Sequence, residues 1–157
     1  IANFIQCIID ARTRGSRIYF LGNGGSAAIV SHVQNDLAEA GGVRAMVFTE
    51  SPVLTARAND FGYPSVFERP IELWGEPDDL LLTVSSSGQS ENIIRALNAA
   101  KEKCCKAITF SGFKPDNPSR SLGDLNFYVP SEVYAYVETI HMSLLPSVLR
   151  IPRNPPS

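Results

Sequence analysis

With 157 residues, 44% hydrophobic and 19% charged, the chain has the size and composition of one globular domain with a sizeable core. A formal net charge of −2 argues against nucleic acid as a direct partner, since that binding needs a basic face. No apolar run is long enough to span a membrane and no signal-peptide pattern is present.

The chain opens on Ile1 rather than Met, so a preceding segment is expected. Residues 5–11 read as the end of a helix, with Cys7 and Ile8 on its apolar side. An apolar strand at 17–21 meets the turn Gly22-Asn23-Gly24-Gly25-Ser26. A helix follows over 26–40, stopped by Gly41 and Gly42, and a second strand over 43–48. Ser51-Pro52 opens a helix to about Asn59, with proline at an early helical position. Residues 60–64 read as a turn and 66–73 as a helix. The third strand, 80–84, runs into Ser85-Ser86-Ser87-Gly88-Gln89-Ser90. An amphipathic helix over 91–103 carries Ile93, Ile94, Leu97 and Ala100 on one face. A fourth strand at 106–110, a polar loop at 114–120 and a fifth strand at 125–129 precede a last helix, from Ser131 or Glu132 through Leu145. Residues 152–157 hold three prolines and are expected to be irregular. Five strands alternating with helices predict an α/β fold with a parallel sheet and right-handed crossovers, in one domain over 1–151.

Cys7, Cys104 and Cys105 form neither a CxxC pair nor a zinc-ribbon spacing. Their odd number and this usage suit a reducing cytoplasm. Cys104 and Cys105 are expected as small hydrophobes at the entry to the fourth strand.

The glycine and serine turns each follow a strand and open a helix. A helix N-terminus offers unpaired N–H groups and partial positive charge, so an anion can sit there. The serine run adds hydroxyl donors at the same place. Two such turns predict a phosphorylated small molecule at the carboxyl ends of parallel strands. Each turn also has a purely structural explanation. The glycines suit a tight connection, and Ser87 or Ser90 suits a helix cap.

Four segments together carry a family resemblance: Gly22-Asn23-Gly24-Gly25-Ser26, Asn59-Asp60-Phe61-Gly62, the serine turn, and Glu138-Thr139-Ile140-His141. Their order and spacing resemble the SIS (sugar isomerase) domain, nearest to the phosphoheptose isomerases, over roughly residues 17–145. The resemblance implies a flavodoxin-like three-layer sandwich with a five-stranded parallel sheet. It implies a cytoplasmic homotetramer with sites shared between subunits, and an additional N-terminal helix that has no counterpart here. The implied reaction converts sedoheptulose 7-phosphate to D-glycero-D-manno-heptose 7-phosphate. By position, Asn23, Gly24, Gly25 and Ser26, with Asn59 and Asp60, match substrate contacts, and Ser85, Ser86, Ser87 and Ser90 match the phosphate-binding serines. Asp36 stands where the family has its catalytic base, Glu in the best-known members. Glu138 stands where many members have a Gln that touches substrate or metal, and His32 matches a zinc ligand of some members, so His32, Asp36 and Glu138 form the implied zinc set. Pro146 departs from the pattern, which has a His there as proposed general acid and zinc ligand.

Aldose–ketose isomerisation moves a proton between adjacent carbons through an enediol, so it needs a base at carbon and an acid or electrophile at oxygen. A metal can polarise the carbonyl instead. His32 and Asp36 at i, i+4 share one helix face, and Glu138 and His141 at i, i+3 share another. On spacing alone the first pair reads as a helical side-chain contact, and His141 also suits a hydrogen-bonded core histidine. Pro146 removes one backbone N–H and crowds the carbonyl of Met142, which predicts a kink or end near Leu145. Two function classes follow: an isomerase with Asp36 as base and Glu138 positioning the substrate, or a non-catalytic SIS module. Some modules of the second kind bind a sugar phosphate or associate with the bacterial replication initiator. Asp36, Glu138 and the Asn-Asp-Phe-Gly segment favour the enzyme.

Overall fold

The structure is a computed structural model that describes residues 1–150; the tail expected to be irregular at 152–157 lies outside the described residues. Five strands form one all-parallel sheet: β1 (Arg17–Gly22), β2 (Arg44–Val47), β3 (Leu80–Ser85), β4 (Lys106–Ser111) and β5 (Leu125–Tyr128). Their spatial order is β2-β1-β3-β4-β5. The helices are α1 (Ala2–Arg14), α2 (Gly25–Gly41), α3 (Ser51–Phe61), α4 (Glu68–Trp74), α5 (Glu91–Glu102), α6 (Pro118–Leu122) and α7 (Tyr134–Leu144).

The central strand β3 is buried along its whole length, which is why it reads as a continuous apolar run rather than an alternating one. Edge strands β2 and β5 are shorter and only partly buried. Alternate residues of β1 feed two cores. Ile18 and Phe20 face α1 and α2 with Phe4, Ile8, Val30, Val33 and Leu37. Tyr19 and Leu21 face α4 and α5 with Phe67, Ile71, Ile93 and Leu97. The result is the three-layer sandwich expected from the sequence.

Four local differences have physical causes. Helix α3 continues through Phe61, and the 60–64 segment resolves into that end, Gly62 at φ 82 and a 3₁₀ turn at Tyr63–Ser65. The 114–120 loop contains the start of α6, capped by Asn117, whose side chain accepts from the Arg120 N–H, and opened by Pro118. Helix α7 begins at Tyr134, because Ser131 is held outside it by backbone bonds with Phe113 and Val129. Cys105 is buried, but Cys104 is exposed at φ 58, the left-handed position that follows α5.

Helix α7 ends at Leu144 and passes into a 3₁₀ helix at Leu145–Arg150. The Leu145 N–H still bonds the His141 carbonyl, and Pro146 has no N–H to continue the ladder.

Candidate active site

The order of the sheet places β1 beside β3, and the chain crosses to opposite sides of this pair. That is the switch point of a doubly wound sheet, where a crevice opens outside the carboxyl ends of the strands. The glycine turn leaves β1 and the serine turn leaves β3 at this place.

In the serine turn, Gly88 adopts φ +62 and donates its N–H to the Ser85 carbonyl at 3.0 Å. A Cβ there would collide with Asn117 and Ser119, so only glycine fits. The Ser87 hydroxyl accepts from the Gln89 N–H at 3.2 Å, which closes the turn. Ser90 occupies the N-cap position of α5, yet its hydroxyl caps nothing and stands 3.5 Å from the Ser85 hydroxyl. The Ser86 hydroxyl is buried and has no partner. A buried polar group left unpaired costs about 1–3 kcal/mol, so three seryl hydroxyls near a helix start, one of them orphaned, make this turn a candidate ligand position.

The glycine turn is tied down by amides. Asn23 and Asn92 exchange hydrogen bonds of 3.0 and 2.9 Å, and the Tyr63 hydroxyl donates to the Asn23 carbonyl at 2.9 Å. Gly25 opens α2 and leaves room for Glu138 of α7. A Cβ at this position would lie 2.8 Å from Glu138 Oε1. The Glu138 carboxylate therefore rests at the N-terminus of α2, where the helix dipole favours negative charge. Between the turns lies a cleft of about 120 Å³, lined by Asn23, Ser26, the four turn serines, Val84, Tyr134 and Glu138.

The remaining predicted residues lie elsewhere. His32 Nε2 meets Asp36 Oδ2 at 3.3 Å on α2, outside the cleft lining, with the His32 side chain exposed and that of Asp36 half-buried. Asn59 donates to Asp60 at 2.9 Å, and both side chains are exposed. Among the described residues no three His, Cys, Asp or Glu side chains gather into a group able to hold a metal, so His32, Asp36 and Glu138 do not meet within one chain. His141 is fully buried, contacts the Ser111 carbonyl through Nε2 at 3.2 Å and packs edge-on against Phe110. Burial lowers its pKa to about 4, opposed by the Ser111 bond, so it is a neutral core histidine at pH 7 and not the acid of the cleft. Sequence reasoning missed Asn92, Tyr63 and Tyr134. For Asn92 the available signal was a polar residue on the buried side of α5.

The family model of the SIS domain matches residues 1–112. The phosphoheptose isomerase of Aliarcobacter butzleri is 33% identical over 152 residues, spanning 93% of this chain and 80% of that protein. The chain belongs to the SIS-domain phosphoheptose isomerase family. The enzyme of Paramagnetospirillum magneticum is 34% identical, across 88% of this chain and 74% of its own length. Among solved structures, the phosphoheptose isomerase of Francisella tularensis superposes with a TM-score of 0.87 at 25% identity, covering 96% of this chain and 83% of that one. That of Neisseria gonorrhoeae gives 0.87 at 28%, covering 94% and 82%. The chain shares the α/β fold of these structures, and its own crevice lies at the β1/β3 switch point.

Proposed function

We propose that this protein interconverts sedoheptulose 7-phosphate and D-glycero-D-manno-heptose 7-phosphate. The observation that carries the reading is the orphaned Ser86 hydroxyl in the switch-point cleft of a chain that belongs to this family. The hydroxyls of Ser85, Ser86 and Ser90 and the first N–H groups of α5 take the phosphate; Ser87 shapes the turn. From there the sugar runs past Asn23, Gly24, Gly25 and Ser26 toward Glu138. A base removes the proton from the carbon that bears the hydroxyl while the carbonyl oxygen gains a proton. The enediol then takes the carbon proton back at the former carbonyl carbon, while its other hydroxyl gives up its proton and becomes the new carbonyl. Asp36 is the base in this reading, with His32 orienting its carboxylate. Glu138 positions the sugar hydroxyls, and Asn59 and Asp60 contact its far end.

A cleft of about 120 Å³ is small beside the roughly 300–1,000 Å³ of ordinary ligand sites. It suits the phosphate end, and Asp36 lies outside it. Both facts support a homo-oligomer, in our reading a tetramer, in which a second copy completes the site. Helix α7 offers an apolar outer face for such contact, with Tyr136 64% and Ile140 41% exposed. A cytoplasmic location is supported by the three free thiols. Among the described residues no helix is long and apolar enough to cross a membrane. Within one chain only His32 and Asp36 of the expected zinc set come together, and Pro146 supplies no donor, so no step is routed through that metal.

The test is to incubate purified protein with sedoheptulose 7-phosphate and follow aldose formation. Turnover is expected. Phosphate binding without any turnover would leave the non-catalytic module as the reading. Light scattering that shows a monomer at micromolar concentration would overturn the oligomer.

A further inference from the structure

Asn23 can make four hydrogen bonds with its side chain, two as donor and two as acceptor. Its carbonyl oxygen is filled twice: Asn92 donates to it at 2.9 Å and the Tyr63 hydroxyl at 2.9 Å. One of its two N–H groups is used as well, donated to the Asn92 carbonyl at 3.0 Å. A single N–H remains, on a residue that lines the cleft.

The three partners come from three places in the chain. Asn23 sits in the turn after β1, Asn92 in the first turn of α5 directly after the serine turn, and Tyr63 in the 3₁₀ turn that follows the Asn-Asp-Phe-Gly segment. Asn92 is only 3% exposed, so it cannot exchange this bonding for water without local opening. The reciprocal pair ties the glycine turn to the first turn of α5, and the Tyr63 hydroxyl, donating to the same Asn23 oxygen, adds a third point of attachment.

We propose that Asn92 and Tyr63 are positioning residues that saturate the carbonyl of Asn23, so that this side chain presents the cleft with an N–H donor and no acceptor. Asn23 then selects an acceptor oxygen of the sugar chain, while the serine turn holds the phosphate. The proposal deepens the isomerase reading and rests on it for the identity of the sugar. It assigns the two turns different duties: the serines bind any phosphate, and the clasp sorts what the phosphate is attached to.

The test compares sedoheptulose 7-phosphate with inorganic phosphate by calorimetry in wild type, Asn92→Leu, Tyr63→Phe, Asn23→Ala and the Asn23→Ala/Asn92→Leu double variant. Asn92→Leu is expected to weaken the sugar phosphate about tenfold, and Tyr63→Phe about threefold, with inorganic phosphate within about twofold of wild type. The double variant should bind no more weakly than Asn23→Ala alone, because Asn92 acts through Asn23. Equal losses for both ligands, or additive losses, would reduce the clasp to scaffold and overturn the proposal. Tyr63 is half exposed, so its variant decides the matter if Asn92→Leu does not fold. If wild type binds inorganic phosphate but not sedoheptulose 7-phosphate, the substrate assignment fails by itself. The clasp is then judged by slowed exchange of the Asn23 and Asn92 side-chain amide protons, which Tyr63→Phe should accelerate and which fast exchange in wild type would refute.

Discussion

Helix α2 carries two polar positions that differ in every physical respect. At its N-terminus, Gly25 lies under the Glu138 carboxylate, beside a cleft with a buried, unpaired serine hydroxyl. Eleven residues on, about 16 Å along the axis, Asp36 pairs with a His32 side chain that is 57% exposed. The first position is enclosed by the turns after β1 and β3 and by α7. The second is partly covered by its own helix, with the Asp36 side chain 30% exposed, and no other predicted site residue stands beside it. The chain thus gathers the proposed phosphate end in one cleft and leaves the residue proposed as base outside it, beside a solvent-exposed imidazole. A proton-abstracting carboxylate works best with water excluded. The contrast therefore supports the proposal that a second copy covers Asp36.

Three measurements can break or sharpen this contrast, beginning with the largest effect. Asp36→Asn should lower kcat by about 10²–10⁴-fold and leave the competitive inhibition constant of inorganic phosphate nearly unchanged, because it removes a base and touches no phosphate contact. Comparable damage to both quantities would mean that the two ends of α2 are not functionally separate.

The chain's two histidines extend the comparison to pH. His141 is buried with its pKa lowered to about 4 by desolvation, against about 6.5 unfolded. The folded state disfavours the proton. The stability from the neutral form is full above about pH 6.5 and is lost as pH falls toward 4, by up to about 3 kcal/mol. Urea unfolding at pH 7 and pH 4 should show wild type losing more stability than His141→Phe over that interval. Parallel pH curves would show that His141 contributes no such linkage.

The smallest expected effect belongs to the serine turn. Ser86→Ala with Ser90→Ala should weaken sugar-phosphate binding by about 1–3 kcal/mol, the scale of lost hydrogen bonds to a charged group. Unchanged affinity by calorimetry would remove these hydroxyls from the site.

The sheet was legible because its signal is local. β3 and β4 are near-continuous apolar runs between glycine, serine and proline punctuation, and their bounds fall within a residue or so of the expected ones. Short elements were not legible: α6 has five residues, too few to show a period, and only Asn117-Pro118 hinted at it. In the site, the serine turn announced itself by composition. The clasp did not, because Asn92 and Asn23 are 69 positions apart and nothing in either neighbourhood names the other. Helical spacing paired His32 with Asp36 correctly, but it shows which face a side chain shares and not what stands opposite. That is why the separation of Asp36 from Glu138 within one chain emerged only from the fold. His141 shows the same limit: the i, i+3 spacing set it beside Glu138 along α7, while packing turned it inward onto Phe110 and Ser111.

The close approach of Gly25 and Glu138 binds two positions far apart in the chain to one shared volume. Any side chain at 25 has to displace the carboxylate or α7 itself, so the two positions are not free to vary independently. Among related chains, a larger residue at 25 is expected only alongside a shorter one at 138. Laboratory evolution of this protein should find a larger residue at 25 only where position 138 has shortened or its carboxylate has swung away.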